Sequence, residues 1–218
     1  MERDERELRQ RMAEAFGRLA AAGVGPPSAA SLAVRHGPGL LVTPHNAAGG
    51  VLGPQDLVQL DAEGCFAAGH RPTAEWRLHR ALLAGRPDTA AVLQCQSPEA
   101  TALACLGLPL PPFHPRVALA GSHDVPVAGY AGFATAELGA GVLDAMGPRR
   151  ACLMAQHGLV VLAADVDAAV RLAREIEALA GVYLAARAVA EPPPLPHAEM
   201  DAALTKFDRL RDGLDPLD

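Results

Sequence analysis

The chain has 218 residues, of which 50% are hydrophobic, 20% charged and only 4% aromatic. A chain of this size and composition can bury a sizeable core, which excludes an intrinsically disordered protein. Its net charge of −6 gives no electrostatic basis for binding nucleic acid or an anionic membrane surface. No apolar run is long enough to span a membrane, and the charged segment 1–7 does not resemble a signal peptide. We therefore expect a cytoplasmic protein with four reduced cysteines.

Helical and strand patterns alternate along the chain. In the N-terminal half they predict a helix over 1–22, strands over 31–35 and 39–43, a helical turn at 53–57, a strand over 58–61, a helix from Thr73 to Leu83, a strand over 90–96 and a helix that Ser97 caps. Further on they predict a Pro-rich loop over 107–115, one or two short strands within 116–130, a helix over 135–146, strands over 151–155 and 159–163, a helix over 166–189 that Asp165 caps, and a last segment over 197–211. This alternation predicts an α/β layered domain, and the hairpin-like turns indicate a sheet that is not purely parallel.

The first candidate for chemistry is the pair Glu75 and His79, which are four residues apart and so share a helix face. In the first turn of a helix, Glu75 is expected to stay ionised and to suit a metal ligand or a general base. A solvent-facing glutamate and a half-buried structural histidine would give the same pattern.

The second candidate is the end of the strand at Gln94-Cys95-Gln96. Because side chains alternate along a strand, both amides point to one face and Cys95 to the other. Two amides on one face can hold a substrate hydroxyl or chelate weakly, or they can simply solvate the strand end.

The third candidate is His157, which lies at a sharp break between two apolar strands and precedes a glycine. Functional residues are common at such breaks, although a structural histidine fits as well. The remaining histidines, apart from His79, lie in loops or turns. The chain has no Walker loop, Rossmann glycine fingerprint, serine elbow or Cys-x-x-Cys motif.

Taken in order, several segments resemble the class II aldolase/adducin family, which includes fuculose-phosphate aldolase. The segments are Leu41–Pro44, Pro72–Glu75 with His79, Arg86–Asp88, Ala91–Pro98, Tyr130–Phe133 with Glu137, Gln156–Gly158, and the helix carrying Glu175, Glu177 and Tyr183. The resemblance covers roughly residues 8–190. It implies a three-layer α/β/α domain over 1–190 with a central, mainly antiparallel sheet, followed by a Pro-rich linker and tail over 191–218.

The resemblance also implies a homotetramer with active sites between subunits, a small-molecule substrate, and a divalent metal, typically zinc, held by three histidines. A glutamate, matched here by Glu75, serves as the base, and the third histidine matches His157. The metal polarises a carbonyl while a carbon–carbon bond breaks or forms. Ser31, Thr43, Thr73 and His114 are further candidates for contacts with the substrate, and His79 for a metal ligand beside Glu75 and His157.

This sequence departs from the family pattern at the site. The two strand histidines of the family are Gln94 and Gln96 here, and amide oxygens are poor zinc ligands. The turn that holds phosphate in the family has lost its glycine and asparagine, within Ala29–Arg35. His45-Asn46 stands for Ser-Gly, and Pro115 stands where the fuculose enzyme has a tyrosine proton donor.

Three hypotheses follow from these departures. The first is an active aldolase-like lyase or enolising enzyme with a rebuilt, metal-poor site, in which Glu75 and His157 are acid/base groups and Gln94 and Gln96 bind a non-phosphorylated carbonyl compound. The second is a non-catalytic scaffold or binding protein. The third is a metalloenzyme in which His79, His114 or His123 joins Glu75 and His157.

Overall fold

The sheet is built mainly from hairpins of short apolar strands. In the computed structural model, which describes residues 2–45, 47 and 52–214, these strands are β1 (Ala30–His36), β2 (Gly39–Val42), β3 (Val58–Leu60), β4 (Ala91–Cys95), β5 (Val127–Ala128), β6 (Ala151–Met154) and β7 (Gly158–Ala163). Their order across the sheet is β3-β2-β1-β4-β7-β6-β5, and only the β5–β6 pair is parallel. The predicted α/β fold with a mainly antiparallel sheet is confirmed.

Helices cover both faces of this sheet. They are α1 (Glu2–Gly17), α2 (Trp76–Gly85), α3 (Pro98–Leu106), α4 (Ala136–Met146), α5 (Val166–Arg187) and α6 (His197–Arg211). On one face α1, α3, α5 and α6 contribute to a core that includes Phe16, Leu93 and Ile176. On the other face α2 and α4 pack over Val92 and Val160. The result is a three-layer α/β/α arrangement.

The observed elements match most of the predicted ones, with two differences at helix ends, one C-terminal and one N-terminal. The first helix begins at Glu2 and ends at Gly17, five residues earlier than predicted. The helix predicted from Thr73 begins only at Trp76, because Pro72 forms a β-bridge with Pro44 and Thr73 donates its N–H to the Thr43 carbonyl at 2.9 Å. These contacts hold Pro72 and Thr73 out of the helix and place Glu75 at the N-cap position.

The prediction of one or two short strands within 116–130 is confirmed, since β5 lies there, preceded by a 3-10 helix over Pro115–Ala120. Ser97 occupies the N-cap position of α3 and Pro98 follows it, as predicted, but the Ser97 side chain makes no capping hydrogen bond. The carboxylate of Glu177 on α5 accepts hydrogen bonds from the N–H groups of Glu99 and Ala100, at 2.8 and 2.9 Å.

The last segment is ordered and packed. Residues 197–211 form α6, which buries Met200 completely against the 3-10 helix and the core. No helix within the described ranges combines the length and the apolar character that a bilayer span requires.

The capping contact of Glu177 generates a prediction about stability. Replacing Glu177 with Ala removes two charge-assisted hydrogen bonds at a helix N-terminus, and we expect a loss of about 1–3 kcal/mol in the free energy of unfolding. Chemical denaturation measures it. As a matched control, Glu175→Ala breaks only a partly exposed ion pair with Arg116 and is expected to lose at most about 1 kcal/mol. Equal losses in the two variants would contradict the assigned role of Glu177.

Candidate active site

A cavity of about 250 Å³ opens where β1 and β4 meet the start of α2. Its lining brings together five residues that the sequence singled out, namely Ser31, Thr73, Glu75, Gln94 and Gln96. None of the described residues that line it is lysine or arginine. The cavity is therefore polar but has no permanent positive charge in its described wall.

Strand pairing sets the positions of Ser31 and Gln94. The two residues are directly opposite each other in the β1–β4 ladder, so their side chains project from the same face of the sheet. One step further along the strands, the pair Ala33 and Val92 packs under α2 and α4 on that same face, whereas Cys95 lies in the opposite core. The predicted separation of Gln94 from Cys95 is confirmed.

The buried ends of these side chains form a hydrogen-bonded chain. Ser31 Oγ lies 2.8 Å from Nε2 of His79 and 3.2 Å from Oε1 of Gln94. Nε2 of Gln94 donates to the backbone carbonyl of His157 at 3.5 Å. The chain thus links α2, β1, β4 and the turn between β6 and β7.

His79 lies behind the cavity and is completely buried. Burial lowers the pKa of this imidazole from 6.5 to about 3, because the charged form cannot be hydrated there. His79 is therefore neutral at ordinary pH. Its Nε2 is engaged by Ser31, while its Nδ1 has no hydrogen-bond partner.

Glu75 presents a carboxyl group with a buried, unpartnered oxygen, Oε2. Burial raises the pKa of this carboxyl above 4.5, and the opposing effects of the His157 charge and the Ala134 N–H are smaller. Desolvation is thus a larger influence on the pKa of Glu75 than the favourable charges around it, an effect that the helix position alone did not predict. A carboxyl group of raised pKa suits proton transfer near neutral pH.

A loop after β5 closes over His157. Nε2 of His157 lies 2.7 Å from the carbonyl oxygen of Ala131, and because a carbonyl only accepts, Nε2 carries the proton. The Tyr130 ring stacks on the imidazole, with centroids 5.5 Å apart and an interplanar angle of 3°. The imidazole of His157 is therefore held by the hydrogen bond at its Nε2 and by stacking of the Tyr130 ring on one of its faces.

Strained backbone surrounds this histidine. Ala134 and Gln156, with φ of 59° and 65°, are the non-glycine residues of positive φ in the described ranges. At Gly158 a Cβ atom would lie 2.5 Å from the Cys95 carbonyl oxygen, so this glycine permits the turn to approach β4 closely. Strain of this kind persists where surrounding contacts impose it, which is common at functional sites.

The structure does not bring the other candidates into the cavity. His157 is not among the lining residues, although its backbone carbonyl accepts from Gln94, which does line the cavity. Thr43 is fully buried, and its hydroxyl is engaged with the backbone of Leu32. His114 starts the 3-10 helix, where its Nδ1 accepts from the Arg116 N–H at 3.1 Å. Asn46 lies outside the described residues.

The sequence did not single out the backbone groups of Ala131 and Ala134 or the ring stacking of Tyr130. The signal available was the segment Tyr130–Phe133, which contributed to the family resemblance without a role for any of its residues. The pairing of Ser31 with His79 was also missed, because no sequence pattern shows which strand passes under α2.

The residues at the site do not fit the zinc ion that the resemblance implies. Zinc prefers imidazole, thiolate and carboxylate ligands, whereas both polar atoms of the Gln94 amide are already hydrogen-bonded within the protein. In addition, Nε2 of His157 is bonded to Ala131, which leaves this ring only its Nδ1 as a ligand atom, and Nε2 of His79 is bonded to Ser31. Within the part of the chain that the structure describes, no three His, Cys, Asp or Glu side chains are arranged to hold a metal ion.

Comparison with known proteins identifies the family. The family model for the class II aldolase and adducin N-terminal domain matches residues 10–184, so the chain belongs to this family. A 5-methylthioribulose-1-phosphate/5-deoxyribulose-1-phosphate aldolase of Rhodospirillum rubrum is 42% identical over 206 residues, 94% of this chain and 93% of its own. An L-fuculose phosphate aldolase of Escherichia coli is 35% identical over 186 residues, 85% of this chain and 86% of its own.

A solved structure of an L-fuculose 1-phosphate aldolase superposes with a TM-score of 0.88 and 31% identity, covering 93% of this chain and 96% of the other. The predicted family and fold are thereby confirmed. The expectation of a lyase-type enzyme is also confirmed at the level of class, since the curated relatives are aldolases.

The buried state of His79 predicts how stability depends on pH. Its pKa is about 3 in the folded protein against about 6.5 in a solvated histidine, so only the unfolded chain takes up this proton as pH falls below 6.5. The contribution of neutral His79 to the free energy of unfolding is therefore fully present above pH 6.5. It is lost as pH falls toward 3, by at most about 1.4 kcal/mol per pH unit.

Denaturation curves between pH 4 and 8 measure this loss. We expect a shallower pH dependence in His79→Gln, whereas the exposed control His45→Gln should keep the slope of the parent protein. If His79→Gln retained the parent slope, the buried neutral state of His79 would be wrong.

Proposed function

We propose that this chain is a cytoplasmic aldolase-type carbon–carbon lyase that acts on a small, non-phosphorylated hydroxy-carbonyl compound at a metal-poor site. The observation that carries the proposal is the unpartnered, buried oxygen of Glu75 in a cavity that also contains Gln94 and Gln96. A carboxyl group whose pKa is raised by burial, beside amide donors, can supply both a proton and hydrogen bonds to a reacting carbonyl.

The catalytic roles follow from which atoms are free. Because Nε2 of His157 is protonated and donates a hydrogen bond to the Ala131 carbonyl, Nδ1 is the atom that can accept a proton from the substrate hydroxyl. As that proton leaves, the hydroxyl carbon becomes an aldehyde and the electrons of the carbon–carbon bond pass to the neighbouring carbonyl as an enolate. Amide N–H groups of Gln94 and Gln96 stabilise the enolate oxygen.

Glu75 completes the reaction by delivering its proton to the enolate carbon. This step leaves an ionised Glu75 and a protonated His157, whose charges attract each other. Return of the proton from His157 to Glu75 restores the starting state, so all protons balance. Formation of the bond follows the same steps in reverse.

The preference for substrates without phosphate rests on the cavity wall. A phosphate carries nearly two negative charges and is commonly held by arginine, lysine or a row of backbone N–H groups. The described wall has neither arginine nor lysine, and the hydroxyl of Ser31 donates to Gln94. The relatives in Rhodospirillum rubrum and Escherichia coli are named for phosphorylated sugars, so ketose 1-phosphates are the essential comparison in any assay.

The other two hypotheses have less support. The comparisons offer nothing for a non-catalytic role, because the relatives reported above are aldolases. A metalloenzyme with substitute ligands would need His79, His114 or His123 at the site. His79 is bonded to Ser31, His114 lies in a separate turn, and His123 is paired with Asp201.

The homotetramer with sites between subunits remains part of the proposal. Tyr130 and Phe133 are each 68% exposed beside His157, and such aromatic rings are typical of surfaces that a partner covers. Multi-angle light scattering should give four times the mass of the chain, and a monomer of unchanged activity would contradict this part.

Turnover of a panel of hydroxy-carbonyl compounds and ketose 1-phosphates, followed by aldehyde release, tests the proposal. We expect cleavage of a non-phosphorylated compound that persists in the presence of a chelator. Glu75→Gln and His157→Ala should each lower kcat by about 100-fold or more, because each removes a proton-transfer group.

Glu14→Gln, a change on the exposed side of α1, serves as the matched control and should leave kcat unchanged. Efficient cleavage of ketose 1-phosphates alone, or full activity in Glu75→Gln, would contradict the proposal.

A further inference from the structure

Gln94 stands where the family resemblance expects an imidazole, and its amide is held at both ends. The side chain is only 7% exposed. Its Oε1 lies 3.2 Å from Ser31 Oγ, and its Nε2 lies 3.5 Å from the His157 carbonyl oxygen. An amide held in this way cannot rotate freely to exchange its donor and acceptor ends.

The direction of each hydrogen bond in the series from His79 through Ser31 and Gln94 to His157 follows from one group, the His157 carbonyl. The His157 carbonyl can only accept, so the NH₂ end of Gln94 faces it and Oε1 faces Ser31. Oε1 can only accept, so Ser31 uses its single hydroxyl proton there. Nε2 of His79 must then donate to Ser31 Oγ, at 2.8 Å.

The unpartnered Nδ1 of His79 agrees with this direction. With the proton on Nε2, the atom left without a partner is an acceptor lone pair. With the proton on Nδ1, a buried N–H would be left without a partner, and orphaned buried N–H groups are rarer in proteins. The buried environment of His79 also keeps the ring from taking a second proton.

We propose that His79 and Ser31 are positioning residues that fix the Gln94 amide, so that its second N–H faces the cavity as a permanent hydrogen-bond donor to a substrate oxygen. The Gln94 NH₂ group has two protons, and the His157 carbonyl takes one. The site thereby selects a group that accepts a hydrogen bond, such as a carbonyl or enolate oxygen. This inference rests on the proposed function for its catalytic meaning, but the orientation of the amide can be measured without turnover.

Nitrogen-15 NMR of the full chain tests the orientation directly. His79 is expected to show the neutral Nε2–H tautomer without titration between pH 5 and 8, its signals being assigned by their loss in His79→Gln. The side-chain NH₂ signals of Gln94 should be distinct and slow to exchange with water. In Ser31→Ala, which removes one oxygen atom, exchange at Gln94 should be faster. The Nδ1–H tautomer, or Gln94 signals unchanged in Ser31→Ala, would overturn the proposal.

A double-mutant cycle separates positioning from a general loss of structure. Ser31→Ala should lower kcat/KM by about 10-fold, the effect of losing one ordered hydrogen bond, and should have no further effect when Gln94 is already alanine. Additive losses would indicate that Ser31 acts independently of Gln94, which contradicts the proposal. The control Ser122→Ala, on a loop remote from the cavity, should change neither readout.

The two readouts also distinguish this inference from the proposed function. If no compound is turned over but the NMR signals behave as expected, the proposed function fails and the positioning of Gln94 is retained. If turnover occurs and Ser31→Ala changes neither kcat/KM nor the Gln94 signals, the positioning role fails and the lyase proposal is retained.

Discussion

The arrangement of the site depends on a chain of buried hydrogen bonds from His79 through Ser31 and Gln94 to the His157 backbone. Polar groups inside an apolar layer are costly unless each finds a partner, so this chain constrains the relative positions of α2, β1, β4 and the β6–β7 turn. If one member moves, the others lose partners that water cannot replace. The same contacts that stabilise the fold therefore also define the wall of the cavity.

Within this wall, Glu75 and Gln94 give the site a different character from that of a metal clamp. Two amides and one carboxyl of raised pKa form a hydrogen-bonding environment, whereas three imidazoles and a cation would concentrate positive charge. The strained Ala134 and Gln156 lie beside the groups that hold Glu75 and His157. The scaffold of the family is thus retained around a cavity that Glu75, Gln94 and Gln96 line.

The sequence predicted most of the fold because the local signals were consistent. Asp165 caps α5 as expected, with its side chain accepting from the Ala168 N–H at 2.7 Å, and the turn at Gln156–Gly158 separates β6 from β7. Ser97 lies before Pro98 at the N-cap of α3, where its side chain would be expected to accept a hydrogen bond. The capping acceptor is instead the carboxylate of Glu177, 80 positions further along the chain. Contacts between residues so distant in sequence leave no local pattern.

The site itself could be predicted only in part for the same reason. Spacing and alternation identified Glu75, Gln94 and Gln96, which do line one cavity. The raised pKa of Glu75 could not be foreseen, because helix position favours the charged form while burial, which depends on the folded chain, opposes it and has the larger effect. The partnership of Ser31 with His79 required the pairing of β1 with β4, which is a property of the folded chain.

The most direct test of this account is a carbon-13 NMR titration of the Glu75 carboxyl, performed with and without one equivalent of zinc. A site built on amides and a carboxyl of raised pKa predicts a titration midpoint above 4.5 that zinc does not move. A midpoint below 4.5, or a midpoint that falls when zinc is added, would show that this carboxylate is stabilised by a cation and would contradict the account.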